Sequence, residues 1–133
     1  MPVKQLADNA ISFIDSPVVA GNPDKYTEIT VSTAKTLKSW RESLYSFEWV
    51  LPDGRIKSAD ELKDSEKEKR LAVESLIADN LSVEKPVLGI GLLENVEIGS
   101  GRAVFLTLAD YGLQIIPVHV PTSNIEEFEA FLP

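Results

Sequence analysis

Cysteine is missing from this chain, and histidine occurs once in its 133 residues, as His119. The first absence excludes disulfides, thiolate nucleophiles and every cysteine-based zinc or iron–sulfur centre. The second excludes a metal cage built from several histidines. Positive charge is also scarce toward the end of the chain. Arg102 is the only Lys or Arg in the last 48 residues, where it stands among Glu94, Glu97, Asp110, Glu126, Glu127 and Glu129. Residues 1–51 carry a net −1, residues 52–85 a net −2 and residues 86–133 a net −5, for −8 overall. Such a gradient repels a phosphate backbone, so generic DNA or RNA binding is not expected. No apolar run has the length of a membrane span. The first residues lack the basic-then-apolar pattern of a signal peptide, so a cytoplasmic protein without a membrane partner is expected.

What remains is ordinary globular composition, 44% apolar and 26% charged, over a length that suits a single domain, 1–133. Residues 1–45 read as an N-terminal extension and 46–133 as the core. Leu6, Ala10 and Ile14 fit a short helix, although Ile11-Ser12-Phe13 also suits a strand, and Ser16-Pro17 ends either one. Tyr26–Val31 alternates like a strand. Ser32 or Thr33 can cap a helix with Leu37, Trp40 and Leu44 on one stripe. Phe47–Leu51 reads as a strand, Pro52-Asp53-Gly54 as a tight turn and Arg55-Ile56-Lys57 as a short return strand. Ser58…Glu61 and Ser65…Glu68 both have capping-box spacing, so a helix is expected after each serine. The second helix should bury Leu71, Val73, Leu76 and Ile77. It should pair Glu66 with Arg70 on a solvated outer face. Pro86–Leu93 and Leu113–Val120 read as strands buried on both faces. Ser123 or Asn124 can cap a last helix with Ile125, Phe128 and Leu132 inward.

The segment Arg102–Tyr111, RAVFLTLADY, decides the fold. As a helix it follows the Gly99-Ser100-Gly101 turn, ends at Gly112 and joins two buried strands. As a strand its apolar residues alternate, giving an antiparallel β-meander plus helices. The gap-free glycine spacing predicts the helix. The fold class is then α/β (α+β), with a mixed sheet and flanking helices.

The run Ile98–Val120, IGSGRAVFLTLADYGLQIIPVHV, resembles the core of the ParB/sulfiredoxin-like domains. Those read strand, DGxHR-type turn, helix ending in glycine, then an xIPVxV strand. Gly101 falls on the motif glycine, Gly112 on the helix-ending glycine and Ile116-Pro117-Val118 on the final strand. With the helix and strand before it, the resemblance covers roughly residues 70–120. It implies a nucleotide or phosphate held by the turn. However, the motif acid falls on Ser100, its histidine on Ala103 and its second arginine on Val104, so the family's site is degenerate here.

Ser100, Gly101 and Arg102 are therefore the candidate ligand-binding residues. Helix N–H groups, a hydroxyl and one guanidinium can hold an anion. The plain alternative is an exposed arginine paired to Glu94 or Glu97. His119 lacks a nucleophile motif beside it and reads as a structural or edge histidine. Asp53 and Asp110 read as turn residues, and Trp40 and Trp49 as core. No catalytic residue, metal ligand or cofactor is assigned, and no hydrolytic or redox activity is expected. Two functions stay open. One is a non-catalytic ParB-like domain with weak phosphate or nucleotide binding at the Gly-Ser-Gly-Arg turn. The other is an acidic interaction, assembly or inhibitory protein that meets a basic protein surface and takes no small ligand.

Overall fold

The computed structural model describes residues 11–133. Leu6 and Ala10 of the expected first helix lie outside the described residues. Ile14 lies in a short strand, β1 (Phe13–Ile14), that pairs in parallel with β3 (Val83–Glu84). Pro17 does not merely end it. It opens a four-residue helix, α1 (Pro17–Ala20), at a position where the missing N–H is not needed.

The main sheet has the order β2 (Tyr26–Ser32), β6 (Ile115–Pro121), β4 (Val87–Ile90), β5 (Val96–Ser100). β2 runs antiparallel to β6 from Tyr26↔Pro121 to Ser32↔Ile115. β4 is parallel to β6 at Val87↔His119 and antiparallel to β5. The sheet is mixed and the fold is α+β, as expected. Residues 26–40, assigned by the sequence to an extension, supply an edge strand and the helix α2 (Thr33–Trp40). Val31 and Trp40 are fully buried in the common core with Phe105, Val118 and Phe128.

Arg102–Asp110 is the helix α4. Six consecutive residues, Ala103–Leu108, are buried, so α4 is enclosed on all sides. That is why its sequence carries no helical stripe and fits an alternating template equally well. Its end is specified by Gly112, at φ 92°. The Leu113 N–H donates to Leu108 O and the Gly112 N–H to Ala109 O, both at 3.1 Å, the paired bonds of a left-handed helix stop.

Helix α3 (Asp64–Ala78) packs on α4. Only the first serine box forms, and it closes one 3-10 turn, Ala59–Glu61, with the Ser58 N–H on Glu61 Oε1 at 2.8 Å. Ser65 caps nothing, because α3 has already begun. The inner face of α3 is Glu66, Arg70, Val73 and Ile77, all buried. That spacing is helical, but half the face is charged. The expectation of an outer Glu66–Arg70 pair is thus reversed, and Leu71 is exposed instead.

Three further expectations change. Helix α2 is capped by Ser32, whose Oγ accepts the Lys35 N–H at 3.2 Å, but it stops at Trp40. Leu44 falls beyond its end and is exposed. Phe47–Leu51 is no strand. It contains a 3-10 turn, Ser46–Glu48, and one bridge, Val50↔Ile56. Phe47 is exposed while Trp49 is fully buried, although a regular strand would place the two on one face. The last helix is broken into a 3-10 turn Thr122–Asn124, α5 (Ile125–Phe128) and a 3-10 turn Glu129–Phe131. Only Phe128 of its expected inner face is fully enclosed, and its ring meets Phe131 edge-on with centroids 5.7 Å apart.

Candidate functional site

Ser100, Gly101 and Arg102 lie together where β5 turns into α4. They line a cleft of about 460 Å³ with Glu66, Lys69, Val73 and Ile98. Gly101 is required at the turn, since its φ is +78° and a Cβ there would lie 2.9 Å from Pro86 Cα. Having no side chain, Gly101 cannot cap α4. The first intrahelical bond runs from the Phe105 N–H to Gly101 O at 2.9 Å. The N–H groups of the preceding turn are therefore the ones an anion would use.

Arg102 is not the isolated cation that the sequence suggests. Its Nη1 donates to Glu48 Oε1 at 3.2 Å and lies 3.8 Å from Glu66 Oε1, and its guanidinium sits 5.6 Å from the Tyr45 ring centre. Glu48 also pairs with Lys63. Glu66 accepts from the Trp49 indole N–H at 2.9 Å and from Lys69 at 3.3 Å. Burial pushes the Glu66 carboxyl upward. The Trp49 and Lys69 hydrogen bonds and the charges of Lys69 and Arg102 outweigh it and hold the group below its ordinary value. The expected partners, Glu94 and Glu97, are elsewhere. Glu97 accepts from Ser43 Oγ at 2.7 Å and Asn95 Nδ2 at 3.0 Å, while Glu94 holds a left-handed turn position at φ 61°.

Arg70, 5% exposed, is a cross-link. It donates to Glu74 at 3.0 Å, to Lys57 O at 2.9 Å and to Asp110 at 2.6 Å. Asp110 therefore ends α4 as an ion-pair partner rather than serving a turn. Asp53 does serve its turn, accepting the Arg55 N–H at 3.0 Å.

Adjoining the charged cleft across Ile98 and Arg102 is a second cleft of about 430 Å³. It is lined by Leu44, Tyr45, Gly91, Leu92, Leu93, Asn95 and Glu97. Leu92 is fully exposed, Leu44 is 76% exposed, Leu93 65% and Tyr45 55%. Pattern reading misses it, because Leu44 belongs to an apparent helix stripe and Leu92-Leu93 to an apparent buried strand. The leucines instead occupy the tip of the β4–β5 hairpin, where the Glu94 N–H donates to Gly91 O at 3.0 Å.

His119 lies on β6, a central rather than edge strand, opposite Glu28 of β2. It is 5% exposed. Its Nε2 is 3.9 Å from Asp15 Oδ1, and its Nδ1 is buried with no partner. Lys85 bridges Asp15 at 3.0 Å and Glu28 at 2.7 Å. The Glu28 hydrogen bond holds the Lys85 ammonium above its usual range, and Lys85 holds Asp15 below its own.

Comparison with known protein families, with characterised proteins and with solved structures finds no match for this chain. Among the described residues, no helix is long and apolar enough to cross a membrane.

Proposed function

We propose that this protein is an acidic interaction module that docks a partner through the apolar cleft formed by Leu44, Tyr45, Leu92 and Leu93. The observation that carries this reading is four large apolar side chains, each more than half exposed, around one concavity. Contiguous exposed apolar surface around a cleft, in an otherwise charged molecule, is the usual mark of a docking site. The partner's chemistry follows from the net charge of −8. A basic protein surface presenting aliphatic side chains would be steered by the long-range field and anchored in the cleft. Calorimetric titration with an amphipathic Leu/Lys peptide tests this. Binding should weaken at least tenfold in the Leu92→Ser/Leu93→Ser variant, and an equally apolar Leu/Glu peptide should bind far less. Equal binding of both peptides, or binding that survives the double substitution, removes the reading.

The uncapped start of α4 favours a second reading, weak phosphate or nucleotide binding at Ser100, Gly101 and Arg102. Support for a ParB/sulfiredoxin-like relationship comes from the order strand, glycine turn, helix, glycine stop and strand over residues 96–121. Against a tight anion site, Glu48 and Glu66 already face Arg102. Any anion would compete with two carboxylates. Phosphate-induced shifts at residues 100–104 that vanish in Arg102→Ala would favour this reading.

A further inference from the structure

The register of the sheet builds a donor cluster from residues far apart in the chain. Antiparallel pairing of β2 and β6 sets Glu28 beside His119, and the segment after β1 brings Asp15 to the same place. One carboxylate oxygen from Asp15, one from Glu28 and a ring nitrogen of His119 all lie within 4.8 Å of one another. A second observation is independent of the carboxylates. His119 is buried on a central strand, yet neither ring nitrogen makes a hydrogen bond among the described residues. Nδ1 has no partner, and Nε2 faces Asp15 Oδ1 at 3.9 Å, too far for one. Buried polar groups are normally satisfied, so an unsatisfied imidazole aimed at two carboxylates calls for a partner.

We propose that Asp15, Glu28 and His119 form a binding site for a borderline divalent cation of the zinc type. One imidazole and two carboxylates are a donor set that such an ion accepts, and three protein ligands leave a fourth position for solvent or an added ligand. The protein already favours positive charge at this point, because the Lys85 ammonium sits between the two carboxylates at 3.0 and 2.7 Å. Lys85 donates to both carboxylates, and among the described residues no hydrogen bond joins it to His119. A metal ion would engage one oxygen of each carboxylate and the His119 ring nitrogen that faces Asp15. Asp15 and Glu28, both about half exposed, have freedom to close the ligand distances, whereas His119 is fixed by its burial. The cost of binding is displacement of Lys85 to solvent, so Lys85 acts as the competitor that sets the affinity.

The single histidine makes the test direct. Zinc chloride is titrated into untagged protein carrying ¹⁵N-labelled histidine, and the one imidazole is followed together with the backbone amides. The expected result is 1:1 saturation with a shift of a His119 ring nitrogen. Amide changes should fall near residues 15, 28 and 119, and Lys85→Met should bind at least tenfold tighter. Asp15→Asn, at a half-exposed position that leaves the core intact, should weaken binding at least tenfold. An imidazole unmoved by millimolar zinc overturns the proposal. So does binding that Asp15→Asn leaves unchanged, because the ion would then be held elsewhere. Should Lys85→Met fail to fold, Lys85→Gln carries the same expectation of tighter binding.

Discussion

The two clefts that meet at Arg102 are of similar size but differ in what their side chains already hold. In the charged cleft, Arg102 and Lys69 face Glu66, Glu66 faces the Trp49 indole, and Glu48 links Arg102 to Lys63. In the apolar cleft, Leu44, Leu92 and Leu93 stand in solvent with no core to join. Charge scarcity along a sequence therefore says little about charge pairing in space. Arg102 is alone over the last 48 residues, yet its partners come from residues 48 and 66. The unmet demand in this region is hydrophobic, and that is the kind a partner relieves.

The largest effect that can break this contrast is expected from Glu66→Ala. It leaves the buried Trp49 N–H without an acceptor and Arg102 and Lys69 without a shared carboxylate. Urea denaturation should show a loss of about 2–4 kcal/mol, in the range for breaking a buried hydrogen-bonded charge. Little change in stability, with a gain in phosphate affinity, would recast the charged cleft as a ligand site. A smaller loss, about 1–3 kcal/mol, is expected for Arg70→Leu, because Asp110 and Lys57 O lose their donor. The same urea measurement checks it.

Acid should expose the pairing too. The folded-state pKa of Glu66 is lowered, so its contribution is present above the ordinary carboxylate range and is lost as pH falls through the folded value. Glu61 behaves alike and further down, held at about 2 first by the Arg55 hydrogen bond and then by the Ser58 backbone N–H. Its contribution should fade between about 4.5, its ordinary value, and about 2. Urea midpoints measured from pH 6 to pH 3 should fall for the parent protein and flatten in Glu66→Gln. A slope unchanged by that substitution would mean Glu66 is not held in its charged form by folding. The smallest effect on stability belongs to the other cleft. Leu92→Ser/Leu93→Ser should shift the unfolding free energy by no more than about 0.5 kcal/mol, as surface changes do, while abolishing Leu/Lys peptide binding.

The legible parts of the molecule are those with local chemistry. Glycine spacing set the limits of α4, turn residues set 52–54, and alternation set β2. What local pattern cannot carry is which side of an element is inside. On α3 the inner face includes Glu66 and Arg70, whose burial is made tolerable by Trp49 and Asp110 from other parts of the chain and by Glu74 one turn along the helix. In Phe47–Leu51, Trp49 reaches Glu66 from the end of a 3-10 turn rather than from the expected strand. Of the candidate sites, the Ser100–Arg102 turn could be singled out because its residues are consecutive. The apolar cleft joins residues 44–45 to 91–93, and the Asp15, Glu28 and His119 cluster depends on the register of β2 against β6. Neither leaves a spacing to recognise.

The proposed docking surface is the apolar cleft rather than the Gly-Ser-Gly-Arg turn. Backbone amide shifts recorded while titrating the Leu/Lys peptide, and separately phosphate, test it most directly. Peptide-induced changes are expected at Leu44, Tyr45 and residues 91–95, lost in Leu92→Ser/Leu93→Ser, with at most small phosphate effects at residues 100–104. Peptide-silent amides at 44–45 and 91–95, with strong phosphate shifts at 100–104 that require Arg102, would contradict it.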